Sequence, residues 1–140
     1  MTLHDLIPVL QVAIGPVILV SGVGLLLLSM TNRFGRIIDR TRQMVAEPSV
    51  SSAAQLEILM RRAHLLRAAI ALGALSVLLA AVLIIVFFTA AAFHMEIAPA
   101  VATLFIACML ALIGALLLFM GDFNLSLTAL KLEVDAARRG

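Results

Sequence analysis

Three long apolar segments, separated by shorter polar ones, dominate the pattern of this 140-residue chain. They cover about residues 6–30, 68–93 and 98–120, and none of them contains an Asp, Glu, Lys, Arg or His residue. Each is long enough to cross a bilayer as a helix, which takes roughly 20 residues. Because backbone polar groups in lipid must find partners within the protein, we predict three transmembrane helices.

The polar segment 31–67, between the first two spans, keeps a helical periodicity. We predict that it forms an antiparallel helical hairpin that extends the first two spans into the cytosol. The apolar stripes of its two halves are Phe34, Ile37, Ile38, Thr41 and Val45, and Leu56, Leu59, Met60, Ala63 and Leu66. No proline interrupts the chain from residue 52 to 93, so the second helix should run for about 40 residues.

The C-terminal tail, residues 121–140, has Phe123, Leu127, Leu130 and Val134 on one stripe. This pattern predicts a short amphipathic helix, which lies along the membrane interface or packs on the hairpin. The whole chain, 1–140, is therefore expected to be a single all-α membrane domain.

Composition supports this class, since 64% of the residues are hydrophobic and 13% are charged, against about half and a quarter in soluble domains. The first apolar segment lacks a basic region before it and is followed by arginines rather than a cleavage site. We therefore interpret it as a retained helix and not as a signal peptide. A single cysteine, Cys108, lies inside the third span and cannot form an intramolecular disulfide.

The distribution of charge predicts the orientation of the spans. All ten Lys and Arg residues lie in Arg33–Arg67 or in the tail from Lys131, and the polar segment 31–67 and the tail 121–140 together contain six acidic residues. The N-terminal end and the loop near residues 94–99 carry only Asp5 and Glu96 as formal charges. The positive-inside rule therefore places the N-terminus outside and the C-terminus in the cytosol.

Small and weakly polar residues recur along two of the spans. Glycine or serine returns every seven residues on the first span, and alanine or glycine does so on the third. Such faces allow close helix packing, and in an oligomer they could instead line a pore. The packing or pore-lining candidates are Gln11, Gly15, Ser21, Gly22, Ser29, Ala107 and Gly114.

The stretch that follows the first span concentrates charge on a helix. This cytosolic cluster consists of Asn32, Arg33, Arg36, Asp39, Arg40 and Arg42, and further basic candidates that face lipid are Arg61, Arg62 and Arg67. Arginines at a membrane boundary anchor the helix end and attract anionic lipid headgroups. Asp39 either forms an ordinary helical ion pair with Arg36 or Arg42, or contacts Arg40 or Arg42 of a neighbouring subunit.

The segment GPVILVSGVGLLLLSMTNRFGRIIDRTR, the two further spans and the tail segment GDFNLSL resemble a family of small bacterial membrane proteins. This family is catalogued as domain of unknown function number 2721. The resemblance covers nearly the whole chain. It implies a location in the bacterial inner membrane and the three-span layout, and it implies no activity.

No catalytic triad, metal-binding motif or nucleotide-binding loop is present, so we expect no enzymatic activity and no cofactor or metal. We expect a self-associating inner-membrane protein, whose oligomer could form an ion channel or pore. The alternative is a non-conducting scaffold or regulatory module that binds a partner or anionic lipid through its Arg-rich hairpin. The expected partners are the lipid bilayer and further copies of the chain, and not nucleic acid. The identity of any protein partner stays open.

Overall fold

A computed structural model describes residues 2–46 and 53–140, which form three helices and no strand. Helix α1 comprises Leu3–Ala46, α2 comprises Ala53–Phe93 and α3 comprises Ala98–Arg139. Each contains a segment long and apolar enough to cross a membrane, which agrees with the three predicted spans. At 1.5 Å per residue each helix is about 60–66 Å long, roughly twice the thickness of a hydrocarbon core.

The N-terminus of α1 is capped by its own side chains. The backbone nitrogen of Thr2 and its Oγ1 both donate to the carboxylate of Asp5, at 3.1 and 2.7 Å. The bond from the backbone nitrogen is one half of a capping box, in which an acid three residues after the cap accepts from the cap residue's N–H. The backbone nitrogen of Asp5 donates to the carbonyl of Thr2 instead of its hydroxyl. The same hydrogen bonds from Thr2 hold the pKa of Asp5 below its ordinary value.

The end of α2 explains the sharp turn before α3. His94 has a φ of 50°, and the backbone nitrogen of Met95 donates to the carbonyl of Ala90 at 3.0 Å. Together these form the left-handed termination that most often uses glycine. Pro99 is the second residue of α3, where a missing backbone donor costs nothing.

Contacts divide the chain into two compact units, and each helix contributes to both. Unit 1 contains residues 2–27 together with Leu72–Ile113. Its buried positions are small or of medium size, which suits close helix packing in lipid. They include Val9, Ala13 and Val23 of α1, Gly73, Ser76, Ala80 and Leu83 of α2, and Cys108 and Ala111 of α3.

Within unit 1, α2 and α3 are joined by a reciprocal pair of hydrogen bonds. The hydroxyl of Ser76 donates to the carbonyl of Cys108 at 3.1 Å, and the thiol of Cys108 donates to the carbonyl of Ser76 at 3.2 Å. Both side chains are buried. The thiol therefore packs as a small core group, as expected for a lone cysteine.

Unit 2 contains Leu28–Ala71 and Gly114–Gly140. Its core cluster is Ile37 of α1 with Leu59 and Leu66 of α2, against which Phe119 of α3 packs. Three of the residues predicted for the hairpin stripes are thus buried together. Val45 and Met60 are exposed instead, and Met44 takes part in the cluster, because the buried face of a long helix turns gradually along its axis.

The tail differs from the predicted short, separate helix, since it continues α3 without a break to Arg139. No proline follows Pro99, and Gly121 alone does not end a helix. The predicted apolar stripe of the tail is largely exposed, although Phe123 contacts Phe119 and Arg33 of unit 2. Its members are Phe123, Leu127, Leu130 and Val134.

Candidate functional site

The candidate site of unit 2 is built around Asp122, an acid whose side chain is fully buried. It lies on α3 seven residues after Ala115 and fourteen after Cys108, both of which are also fully buried. The preceding residue, Gly121, brings α3 close to α2, since a Cβ there would lie 3.6 Å from Cδ1 of Leu65. Helical periodicity and a close helix contact therefore place this carboxylate inside the unit.

Two arginines from the other helices hold the buried carboxylate. Nε of Arg62, on α2, donates to Oδ1 of Asp122 at 3.0 Å. A terminal nitrogen of Arg33, on α1, lies 3.4 Å from Oδ2 and forms an ion pair with it. Oδ2 accepts no hydrogen bond from the described residues. Each of the three helices thus contributes one charged residue to the same ion-pair cluster.

Aromatic rings fix the position of Arg33 from the other side. Its guanidinium carbon lies 4.2 Å from the ring centre of Phe123 and 5.4 Å from that of Phe119. The two rings contact each other edge to face, with centres 5.2 Å apart. A cation against two ring faces gains about 0.5–2 kcal/mol per contact, depending on its desolvation. Arg33 is thereby held by an ion pair and by stacking at the same time.

Beside this cluster lies a groove of about 440 Å³ whose walls are strongly basic. It is lined by Arg33, Arg36, Ile37, Arg40, Leu59 and Arg62. Arg40 forms an exposed ion pair with Glu133 of α3. Arg36 is exposed and forms no ion pair with any residue in 2–46 or 53–140. We call this feature the arginine groove.

The remaining members of the predicted charged cluster lie apart from the groove lining. Asn32, Asp39 and Arg42 are exposed on α1. Asp39 has no salt-bridge partner among the described residues, so the ordinary helical pair with Arg36 or Arg42 is not formed there. The contact with Arg40 or Arg42 of a neighbouring subunit stays a prediction. On α2, Arg61 and Arg67 are exposed, whereas Arg62 is half-buried in the groove.

The small-residue candidates of α1 face away from the protein interior. Gln11, Gly15, Ser21, Gly22 and Ser29 are all exposed. A Cβ added at Gly15 or Gly22 would meet nothing within 4 Å. The hydroxyl of Ser21 donates to the carbonyl of Val17 in its own helix at 3.3 Å. On α3, by contrast, the candidates Ala107 and Gly114 are half-buried.

Asp122, Phe119, Phe123 and Glu133 are the site residues that the sequence prediction missed. A usable signal was present in the spacing of α3, because Asp122 directly follows Gly121, which continues the seven-residue spacing of Ala107 and Gly114. A carboxylate on a packed helical face needs a cationic partner, and arginines stand near the ends of both other spans. The described residues contain no group of three or more His, Cys, Asp or Glu that could hold a metal ion.

Comparison with known proteins identifies a family. A family model described as "Protein of unknown function (DUF2721)" matches residues 13–132. This match includes most of α1, the whole of α2 and the site residues Arg33, Arg62 and Asp122, and it begins after Gln11. No curated protein and no solved structure matches the chain.

Proposed function

The chain belongs to the family of unknown function DUF2721, and we propose that it acts as a self-associating protein of the bacterial inner membrane. The observation that carries this proposal is the outward position of Gly15 and Gly22 on α1, with open space in front of both. Small residues at membrane depth allow the backbones of two helices to approach closely. Since unit 1 does not use this face for its own packing, a second copy of the chain is the proposed occupant.

The polar content of the same face supports a protein neighbour rather than lipid. At 100° per residue, Gln11, Gly15 and Gly22 lie within about 40° of one another around α1. The amide of Gln11 is exposed and forms no hydrogen bond with the described residues. Amides inside an apolar span usually bond across to another helix, which adds about 0.6–2 kcal/mol to association.

The charge distribution supports the proposed orientation, with the N-terminus outside and the C-terminus in the cytosol. Every Lys and Arg lies in residues 33–67 or from position 131 onward. Lys and Arg residues close to span ends are retained on the cytosolic side. We propose a non-enzymatic role, since the chain carries no recognisable catalytic or nucleotide-binding motif.

Replacement of Gly22 by leucine should reduce self-association at least tenfold in dissociation constant, because a bulky side chain prevents the close approach of two backbones. The measurement is the stoichiometry of the purified protein in lipid nanodiscs, with chemical crosslinking in native membranes as a second readout. Gly24→Leu is the matched control, since Gly24 is also exposed with nothing within 4 Å but lies about 160° away around α1.

The two variants separate a specific face from general disturbance of the span. Loss of oligomers in Gly22→Leu alone supports the proposed face. Equal stoichiometry of the wild type and both variants, with unchanged helix content by circular dichroism, would contradict it.

A second candidate function is that the associated copies enclose a pore, and the exposed amide of Gln11 favours it. In that case Gln11→Leu should lower ion flux into liposomes while the oligomer remains intact, since the substitution removes a polar lining group. Wild-type oligomers that give no flux above protein-free liposomes would leave self-association standing without a pore.

A further inference from the structure

We propose that the arginine groove is a specific binding site for a phosphate group that carries about two negative charges. The groove is formed within unit 2 by Arg33, Arg36 and Arg40 of α1 with Arg62 of α2. Guanidinium groups bind phosphate through paired, charge-assisted hydrogen bonds, which makes arginine the preferred residue for such sites. The proposal does not depend on self-association.

The structure holds two of these arginines in place before any ligand binds. Asp122 pairs with both Arg33 and Arg62, and Phe123 stacks on Arg33. Arg62 engages the carboxylate through Nε, and no described residue accepts a hydrogen bond from its terminal nitrogens. Binding therefore requires little further ordering of these side chains, and preorganisation of this kind increases affinity.

The charge of the site matches the proposed ligand. Four arginines line the groove, and two carboxylates, Asp122 and Glu133, are paired with members of this set. This leaves a surplus of two positive charges. A phosphate monoester carries about −1.5 to −2 at neutral pH, because its second pKa is near 6.

The shape of the groove leaves room for more than a bare phosphate. Its volume of about 440 Å³ lies within the usual range for small-ligand sites. Ile37 and Leu59 add apolar surface beside the arginines. The phosphate can come from two sources, namely the headgroup of an anionic lipid or a soluble phosphate compound, and both share the chemistry that the arginines recognise.

Two arms of one experiment distinguish these sources in the full-length protein. In the first arm, native mass spectrometry counts the phosphatidic acid retained by protein from nanodiscs that also contain phosphatidylcholine. In the second arm, calorimetry measures the binding of inorganic phosphate to protein in nanodiscs of phosphatidylcholine alone. Retention in the first arm identifies a lipid headgroup, and binding in the second identifies a soluble phosphate.

Arg36→Gln is expected to weaken binding about ten- to hundredfold, since it removes one charged hydrogen-bonding partner of the phosphate. Arg36 is exposed and forms no ion pair with the described residues, so this variant should fold normally. Arg36→Lys retains the charge without the paired geometry and should give an intermediate loss. The matched controls are Arg61→Gln and Arg67→Gln, which remove the same charge at exposed positions of α2 that do not line the groove.

Loss of phosphate binding in Arg36→Gln, with near-wild-type binding in Arg61→Gln and Arg67→Gln, supports a specific site. Equal losses in all three glutamine variants would overturn the proposal, because that is the result expected of a diffuse basic surface. Failure of the wild type to bind in both arms would also overturn it. In the same measurements, Gly22→Leu should bind phosphate as the wild type does. A failure of the proposed self-association would therefore be distinguishable from a failure of phosphate binding.

Discussion

Replacement of Asp122 by alanine is expected to lower the free energy of unfolding by about 3 kcal/mol. The carboxylate is fully buried, and its loss leaves Arg33 and Arg62 without their common counter-ion. Breaking a buried ion pair on one side usually costs 3–5 kcal/mol. We expect the lower end here, since the side chains of Arg33 and Arg62 are 24% and 15% exposed and keep some contact with solvent.

The measurement is equilibrium unfolding of the purified protein in mixed micelles, followed by circular dichroism. Asp135→Ala and Asp39→Asn are the controls, because both positions are exposed acids on helices and form no ion pair with the described residues. Each control should change stability by less than about 0.5 kcal/mol. If Asp122→Ala is as mild as the controls, the buried cluster does not hold the three helices of unit 2 together.

A double variant that removes the charges of Asp122 and Arg62 together tests whether this ion pair itself stabilises unit 2. Replacing a whole buried ion pair by apolar residues of similar size is often neutral or stabilising, whereas removing one member is costly. Asp122→Leu with Arg62→Met should therefore recover part of the stability lost in Asp122→Ala. Full recovery of the free energy of unfolding would mean that the charges of the cluster are not what stabilises unit 2.

The three apolar helices could be predicted from the sequence because each span is an uninterrupted apolar run, and length alone decides whether such a run crosses a bilayer. The continuation of α1 past residue 30 was predictable for a related reason, since no proline or capping signal separates the span from the helix that follows. The apolar spans and the continuation of α1 each depend on the sequence of a single helix. They do not depend on which neighbours the helix meets.

The burial of Asp122 depends on all three helices at once. The periodicity of α3 places Asp122 beside Gly121, yet it does not show which face of α3 contacts α1 and α2 at that level. The same limitation explains why Met60 was assigned to a buried stripe but is exposed. Contacts between helices set the rotation of each one, and a single sequence without a known partner leaves that rotation open.

The arginines illustrate the same division between local and tertiary information. Their number and position near the first span follow from the sequence and account for the predicted orientation. Their separation into two classes follows only from the structure, since Arg62 enters the groove and Arg61, its neighbour, remains exposed. Arginines that look equivalent in the sequence thus divide into those that line the groove and those that remain exposed.

Leucine at position 73 is expected to destabilise the protein by about 2 kcal/mol, because Gly73 marks the closest approach of α2 to Leu27 of α1 in unit 1. A Cβ at Gly73 would lie 2.7 Å from Cδ2 of Leu27 and 3.5 Å from its Cγ. The end of the Leu27 side chain can rotate away from a single methyl group. It cannot make room for a whole leucine side chain without separating the helices.

Alanine at the same position should therefore be close to neutral, since the gain of about 1 kcal/mol in helix propensity offsets the displacement of Leu27. Gly24→Leu serves as the control in unfolding measurements in mixed micelles, because position 24 has open space. A double variant, Leu27→Ala with Gly73→Leu, should cost less than the sum of its single changes, since the shortened side chain vacates the clash. Additive costs would show that the two residues do not limit the approach of α1 and α2.

Because this contact also fixes the rotation of α1, Gly73→Leu should weaken self-association together with stability, whereas Gly22→Leu should weaken self-association alone.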